Sequence, residues 1–133
     1  MTQEEKIQHW VKVSDNDLKA ADILFNGGQY LYTCFMCQQA IEKIFKSCFV
    51  KQSLEEHPHI HNLVTLAKRS NVSEMMSEEQ KMLIEILNPF NIEARYPDYK
   101  DKLAKSLNKN VTQDIFTQTK ELQKWTKETI LSQ

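Results

Sequence analysis

The chain has very few residues that turn or break a helix. It contains 2 glycines and 3 prolines among 133 residues, and the two glycines, Gly27 and Gly28, are adjacent. An all-β fold needs many tight turns, and glycine and proline supply most of them. The composition therefore favours long helices with few connections. We predict an all-α fold, an up-and-down bundle of four principal helices plus a short helix.

Length and composition indicate one domain, residues 1–133. The chain is 41% hydrophobic and 26% charged, the balance of an ordinary globular protein. Residues 1–5 are polar and acidic and show no signal-peptide pattern, and no apolar run reaches the ~18 residues of a membrane span. Three cysteines, an odd number, do not suggest a secreted disulfide framework. We expect a cytoplasmic protein with no membrane partner.

The charge balance limits the class of partner. The net charge is -1, with 17 basic and 18 acidic residues. Non-specific binding to duplex DNA depends on neutralising many phosphates, so we expect no duplex DNA partner. Arg69 and Arg95 are the two arginines, the residue type best suited to bidentate phosphate recognition.

Hydrophobic periodicity predicts where the helices lie. The first runs over 2–26 and ends at Gly27, although a capping signal at Ser14 to Asp17 would instead divide it in two. The second, 29–51, is the most apolar, so we expect it to lie centrally with neighbours on two sides. Its polar residues form a strip: Gln38, Gln39, Glu42, Lys43 and Lys46.

A short helix is predicted over 62–69, and Ser77 with Gln80 forms a capping box that opens the next one. From 88 to 110 the pattern weakens, and a last helix is predicted over 112–131. The expected apolar face after Ser77 is Met82, Leu83, Ile86, Leu87 and Phe90, and that of the last helix is Val111, Ile115, Leu122, Trp125 and Thr129.

Cys34 and Cys37 have the spacing of a redox motif, but they lie inside a predicted apolar helix that also carries Cys48. Redox chemistry needs a cysteine at a helix N-terminus, where its pKa is lowered. We therefore interpret all three as small buried hydrophobes.

His57, His59 and His61 alternate along a short segment and suggest a set of metal ligands. No cysteine or carboxylate pair stands at a standard spacing to complete the site. The favoured interpretation is a polar loop, with no metal and no cofactor.

The segment from Glu93 to Tyr99 combines a guanidinium, two phenols and a carboxylate with a proline. It is suited to presenting Arg95 to a phosphate and a tyrosine ring to a base, with Lys100, Lys102 and Lys105 adding positive charge. A purely structural interpretation is equally open, in which Arg95 pairs with Asp98 or a helix C-terminus and the tyrosines fill the bundle. No glycine-rich phosphate loop or nucleophile motif occurs, so no catalytic residue is assigned.

Four fragments in order resemble the HEPN domain family (higher eukaryotes and prokaryotes nucleotide-binding). They are Trp10 with Ala20-Ala21-Asp22-Ile23-Leu24, then Gly28-Gln29-Tyr30 leading into Cys37-Gln38-Gln39-Ala40-Ile41-Glu42-Lys43-Ile44-Phe45-Lys46, then His61-Asn62-Leu63, and finally Ala94-Arg95-Tyr96-Pro97-Asp98. The resemblance implies a helical bundle that forms a homodimer and pairs with a small nucleotidyltransferase, often as a toxin-antitoxin system.

Many proteins of that family are metal-independent RNases that use an arginine followed, four to six residues later, by a histidine. Here every histidine precedes every arginine, so that motif is absent. The chain resembles the branch with Arg-Tyr-Pro-Asp, proposed to bind nucleotides or to dock the nucleotidyltransferase. The resemblance implies a non-catalytic module whose nucleotide- or partner-binding residues are Arg95, Tyr96, Asp98, Lys43, Gln39 and His61.

Two alternatives stay open. One is a divergent RNase or phosphotransfer enzyme that uses His61, Lys43 or Asp98. The other is a purely structural dimeric partner, with the polar strip of the second helix as its interface. The missing RNase motif favours a protein that is not an enzyme.

Overall fold

The computed structural model describes residues 1–53, 59–91 and 97–133. These ranges contain six α-helices and no strand, so the predicted all-α fold is confirmed. The helices are α1 (Gln3–Asn26), α2 (Tyr30–Gln52), α3 (Leu63–Arg69), α4 (Glu78–Leu87), α5 (Pro97–Lys105) and α6 (Lys109–Thr126). A π-helical turn, Lys127–Leu131, extends α6, and 3-10 turns occupy Ser73–Met75 and Asn88–Asn91. Within those ranges no helix is long and apolar enough to cross a membrane.

The first two helices form an antiparallel hairpin. Gly28 adopts a φ of 76°, a left-handed conformation that glycine reaches without strain, and this reverses the chain after α1. The start of α1 lies beside the end of α2, where the Gln3 side-chain amide donates to the carbonyl of Val50 at 2.8 Å. The single long first helix is confirmed. The Ser14 hydroxyl does not cap a second helix but donates to the carbonyl of Ala40 at 2.7 Å.

Helix α2 lies at the centre, as predicted, and packs against α1, α3, α4 and α6. Its apolar side chains form much of the core, including Cys34, Cys37, Ile41, Ile44, Phe45 and Cys48. The predicted polar strip, however, is largely covered. Gln38, Glu42 and Lys46 are buried: His61 contacts Gln38 and Glu42, and Trp10 of α1 lies beside Lys46.

The predicted capping box is present at the start of α4. The Ser77 hydroxyl accepts from the backbone N–H of Gln80, and the Gln80 side chain accepts from the N–H of Ser77. The apolar face predicted after it is partly wrong: Met82 is 60% exposed and Ile86 is 45% exposed. The buried face is a narrower stripe rotated away from those two residues, made of Leu83, Ile84, Leu87 and Phe90.

One helix and one helix boundary differ from the prediction. Helix α5 was not predicted, because none of its residues is buried and Pro97 suggested an interruption. Proline is tolerated in the first turn of a helix, where its missing N–H has no helical partner to lose. Helix α6 begins at Lys109, where the Asn108 side chain accepts from the N–H of Val111. Val111 of the predicted face is 40% exposed, whereas Ile115 and Leu122 are buried.

Candidate functional site

A carboxylate lies buried on the central helix. Glu42 is 1% exposed, and its Oε2 is 3.0 Å from Nζ of Lys46 and 3.4 Å from Nζ of Lys43. Its Oε1 is 3.1 Å from Nδ1 of His61 and accepts from the Gln38 side-chain amide at 3.3 Å. Burial raises the pKa of Glu42, but Lys43, Lys46 and the hydrogen bonds from Lys46 and His61 lower it more. The net pKa lies below its usual value of 4.5, so Glu42 is ionised at neutral pH.

Helical spacing assembles this cluster. Gln38, Glu42 and Lys46 are four residues apart and therefore lie on one stripe of α2. On the neighbouring stripe, Nζ of Lys43 donates to Oε1 of Gln39 at 2.8 Å. Gln39 in turn donates to Oε1 of Gln38 at 2.7 Å and to Oδ1 of Asn91 at 3.3 Å. We call the set the Glu42 cluster: Gln38, Gln39, Glu42, Lys43, Lys46, His61 and Asn91.

His61 joins this cluster to the surface. Its backbone carbonyl accepts from the Gln38 side chain at 3.2 Å, which ties the residue to α2, while its side chain is 60% exposed. Because Glu42 is ionised and can only accept, Nδ1 of His61 carries the proton of that contact. In the neutral ring the lone pair is therefore on Nε2, which bonds to no side chain in the parts of the chain that the structure describes.

A cavity of about 370 Å³ opens beside His61. Five residues line it, and three of them are asparagines: His61, Asn62, Asn88, Pro89 and Asn91. Asn88 is fixed in place, since its Oδ1 accepts from the backbone N–H of Leu63 at 2.7 Å and its amide donates to Asn62 at 3.2 Å. The volume lies in the lower part of the range found for small-molecule sites, roughly 300–1,000 Å³.

Helix α1 borders the cluster on another side. Nζ of Lys46 lies 5.5 Å from the ring centroid of Trp10, within cation–π range. Burial raises the pKa of Asp17, opposed by the nearby charge of Lys43 and reinforced by that of Glu42. Oδ2 of Asp17 is buried and has no hydrogen-bond partner within the described ranges. Asp17 therefore adds a second carboxylate beside Lys43.

The structure brings three of the six predicted site residues together: Gln39, Lys43 and His61. Asp98 is exposed in the first turn of α5 and makes no hydrogen bond or ion pair with them among the described residues. In the same helix, Lys100 donates to the Tyr32 hydroxyl at 2.6 Å and lies over its ring. Arg95 and Tyr96 lie outside the described residues, and so does His57.

Sequence reasoning missed the centre of the site, Glu42, together with Gln38, Lys46 and Asn91. The available signal was a glutamate with a lysine four residues later in the most apolar helix of the chain. Such a pair on a helix with neighbours on both sides indicates buried charges and not a solvated strip. Of the three alternating histidines, weighed as metal ligands and interpreted as a polar loop, His59 is exposed, and no three potential ligands cluster among residues 1–53, 59–91 and 97–133.

The interpretation of the cysteines as core residues is confirmed. Cys34, Cys37 and Cys48 are all fully buried free thiols. Burial raises the pKa of each thiol to about 12. A thiol with that pKa is almost entirely protonated at neutral pH, so none of the three is a nucleophile or a metal ligand in the folded chain.

Comparisons with known proteins agree with this architecture. The crystal structure of TT1696 from Thermus thermophilus superimposes with a TM-score of 0.78 at 18% sequence identity, covering 92% of this chain and 97% of that one. Identity this low shows a shared fold and no more. No curated protein sequence matches the chain significantly. The family model described as "HEPN domain" matches residues 7–129, nearly the whole chain, and the protein therefore belongs to the HEPN domain family.

Proposed function

We propose that the protein is a non-catalytic binding module that holds a nucleotide in the cavity beside His61. The observation that carries the proposal is the lining of that cavity by three asparagines next to an exposed imidazole. The NH₂ group of an asparagine can donate to an acceptor on the edge of a nucleobase. An exposed imidazole ring suits stacking on a base or contact with a phosphate.

Two of the amides have hydrogen-bonding capacity left. The Asn62 oxygen accepts from the N–H of Thr65 and from Asn88, and the Asn91 oxygen accepts from Gln39. The NH₂ groups of Asn62 and Asn91 donate to none of the residues that the structure describes. They are therefore available to acceptors of a ligand, such as a base carbonyl, a ring nitrogen or a phosphate oxygen.

The charges of the Glu42 cluster are compatible with an anionic ligand. Within the cluster the ammonium groups of Lys43 and Lys46 outnumber the Glu42 carboxylate, while Asp17 adds a second carboxylate beside Lys43. The Lys43 side chain is 16% exposed, so part of it reaches solvent. Its Nζ is therefore suited to contact with an anionic group of a ligand.

The remaining predicted residues extend the proposal. Residues 92–96 connect Asn91, at the cavity, to Pro97, the first residue of α5. We assign Arg95 to a phosphate of the nucleotide and Tyr96 to its base, with Asp98 at the edge of the site. Arg95→Ala should weaken binding of the nucleotide and leave thermal stability almost unchanged. A large loss of stability with normal binding would rule out this role for Arg95.

A thermal-shift panel with AMP, ATP and GTP tests the proposal. Ligand at a hundred times its dissociation constant stabilises a protein by about 2.7 kcal/mol. Unfolding entropy of about 2.1 cal/mol/K per residue gives roughly 0.28 kcal/mol/K for a chain of this length, so the melting temperature should rise by about 10 °C. Asn91→Ala should reduce the shift, whereas Asn16→Ala, on the exposed side of α1, should not. The absence of a shift with every nucleotide would refute the proposal.

Family membership supports the second part of the proposal, a homodimer that associates with a small nucleotidyltransferase in a toxin-antitoxin-like system. The polar strip of α2 does not serve as the interface, since Gln38, Glu42 and Lys46 are buried within the chain. Light scattering on purified protein should give twice the mass of 15.7 kDa. A monomer at all micromolar concentrations would contradict the dimer, and failure to bind a nucleotidyltransferase encoded beside it would contradict the pairing.

A further inference from the structure

The imidazole of His61 is held by a carboxylate on one side and open to solvent on the other. Nδ1 lies 3.1 Å from Oε1 of Glu42, and the side chain is 60% exposed. The carboxylate is itself fixed, because Lys46 binds its second oxygen at 3.0 Å and Gln38 donates to the first. This arrangement keeps the proton on Nδ1 and leaves the lone pair on Nε2, in a side chain that is mostly exposed and lines the cavity.

A carboxylate on Nδ1 also changes what Nε2 can do. When Nε2 forms a bond to an electrophile, the ring becomes a cation, and an adjacent ionised carboxylate stabilises that cation. The Nδ1 proton need not leave, since Glu42 already accepts it. A neutral imidazole held in this way is an activated nucleophile.

We propose that Nε2 of His61 is a phosphoryl-acceptor site, a covalent modification site on this protein. The lone pair of Nε2 attacks phosphorus, and the bond from phosphorus to the leaving group breaks, with its electron pair leaving on that group. The product is an N-phosphorylated imidazolium whose Nδ1 proton remains on the hydrogen bond to Glu42. The donor class is a compound with a phosphoanhydride or phosphoramidate bond, and no oxidant or reductant takes part. The site does not depend on the nucleotide of the proposed function.

His9 provides an internal comparison. It is exposed on α1 and contacts the Trp10 ring edge-on, with ring centroids 5.1 Å apart. No carboxylate within the described ranges pairs with it, unlike His61. Both imidazoles meet solvent, so a difference in their reactivity reports the effect of the carboxylate and not of accessibility.

The test uses phosphoramidate, a small phosphoryl donor that carries no base, on the folded full chain at neutral pH. Mass spectrometry should show acid-labile phosphorylation of His61 at least about tenfold faster than of His9, a small part of what a carboxylate partner contributes to the imidazole of a catalytic triad. Glu42→Gln should remove that advantage, and His61→Asn should remove the modification at this position. The phosphorus-31 NMR spectrum should identify the Nε2 isomer.

Equal rates at His61 and His9 in the wild-type protein would overturn the proposal. The contact between Glu42 and His61 would then serve only to hold His61 against α2. Predominance of the Nδ1 isomer would overturn it as well, because Glu42 occupies that nitrogen. If Glu42→Gln does not fold, the ratio of the two histidines within the wild-type chain still decides the question. A failed nucleotide-binding experiment would leave these results unaffected, since phosphoramidate needs no nucleotide site.

Discussion

Replacement of Glu42 by glutamine removes the negative charge that pairs with two ammonium groups, one buried and one partly exposed. Lys46 is 5% exposed and makes its ion pair with Glu42 at 3.0 Å, and Lys43 lies 3.4 Å from the same oxygen. Glutamine keeps an acceptor for Gln38 or His61 but leaves Lys46 buried without a counter-charge. Removal of one partner of a buried ion pair costs about 3–5 kcal/mol.

The expected loss lies at the lower end of that range, about 3 kcal/mol, because Lys43 is partly exposed and glutamine retains hydrogen bonds. With an unfolding entropy of roughly 0.28 kcal/mol/K for a chain of this length, the melting temperature should fall by about 10 °C. Adding Lys46→Met to Glu42→Gln should recover much of the loss, since the most deeply buried ammonium group is then removed together with its counter-charge. Lys46→Met alone should destabilise, because it leaves Glu42 with fewer partners.

Urea denaturation of the four proteins in this double-mutant cycle gives the coupling energy between Glu42 and Lys46, which should exceed about 1 kcal/mol. Glu85→Gln, an exposed glutamate of α4, is the matched control and should change stability by no more than about 0.5 kcal/mol. Two results would refute the view that a buried ion pair organises this side of α2. One is additive effects of the two substitutions, and the other is a Glu42→Gln variant as stable as the control.

Three further predictions concern pH, the thiols and the cap of α4. The pKa of Glu42 is lower in the folded chain than its usual value of 4.5, so its stabilisation is present above that pH and is lost as the pH falls through the folded value. Melting curves should therefore show the gap between wild type and Glu42→Gln closing in acid, and a constant gap would contradict this sign. The thiols of Cys34, Cys37 and Cys48 have pKa values near 12, so iodoacetamide at mildly alkaline pH should leave the folded protein unmodified and label all three after unfolding. Rapid labelling of the native chain would show that the core is open. Ser77→Ala removes the capping box of α4 and should cost about 1 kcal/mol in urea denaturation, whereas Thr117→Ala, exposed on α6, should cost nothing. Equal effects of the two would mean that the cap contributes little.

Much of the fold was predictable because local signals specify it. The scarcity of glycine and proline excluded a turn-rich fold, Gly27 and Gly28 marked the reversal after α1, and Ser77 with Gln80 marked the start of α4. These signals act over a few residues of sequence. Helix α5 escaped prediction since none of its side chains is fully buried, and Leu103 alone of its residues packs in part against the core.

The candidate site was only partly predictable, because it depends on contacts between distant parts of the chain. A polar stripe on one helix looks the same whether solvent or another segment covers it. Here Gln39 of α2 reaches Asn91, 52 residues later, and Gln38 and Glu42 reach His61. Resemblance to a family identified Gln39, Lys43 and His61, but it did not reveal that Glu42 joins them.

The central claim is that a nucleotide binds in the cavity beside His61. The most direct test is nitrogen-15 NMR of the asparagine side-chain amides during a titration with ATP. We predict that the NH₂ signals of Asn62, Asn88 and Asn91 shift in a saturable manner, while that of Asn16 on α1 stays constant. Unchanged cavity signals with every nucleotide, or shifts confined to residues far from His61, would contradict it.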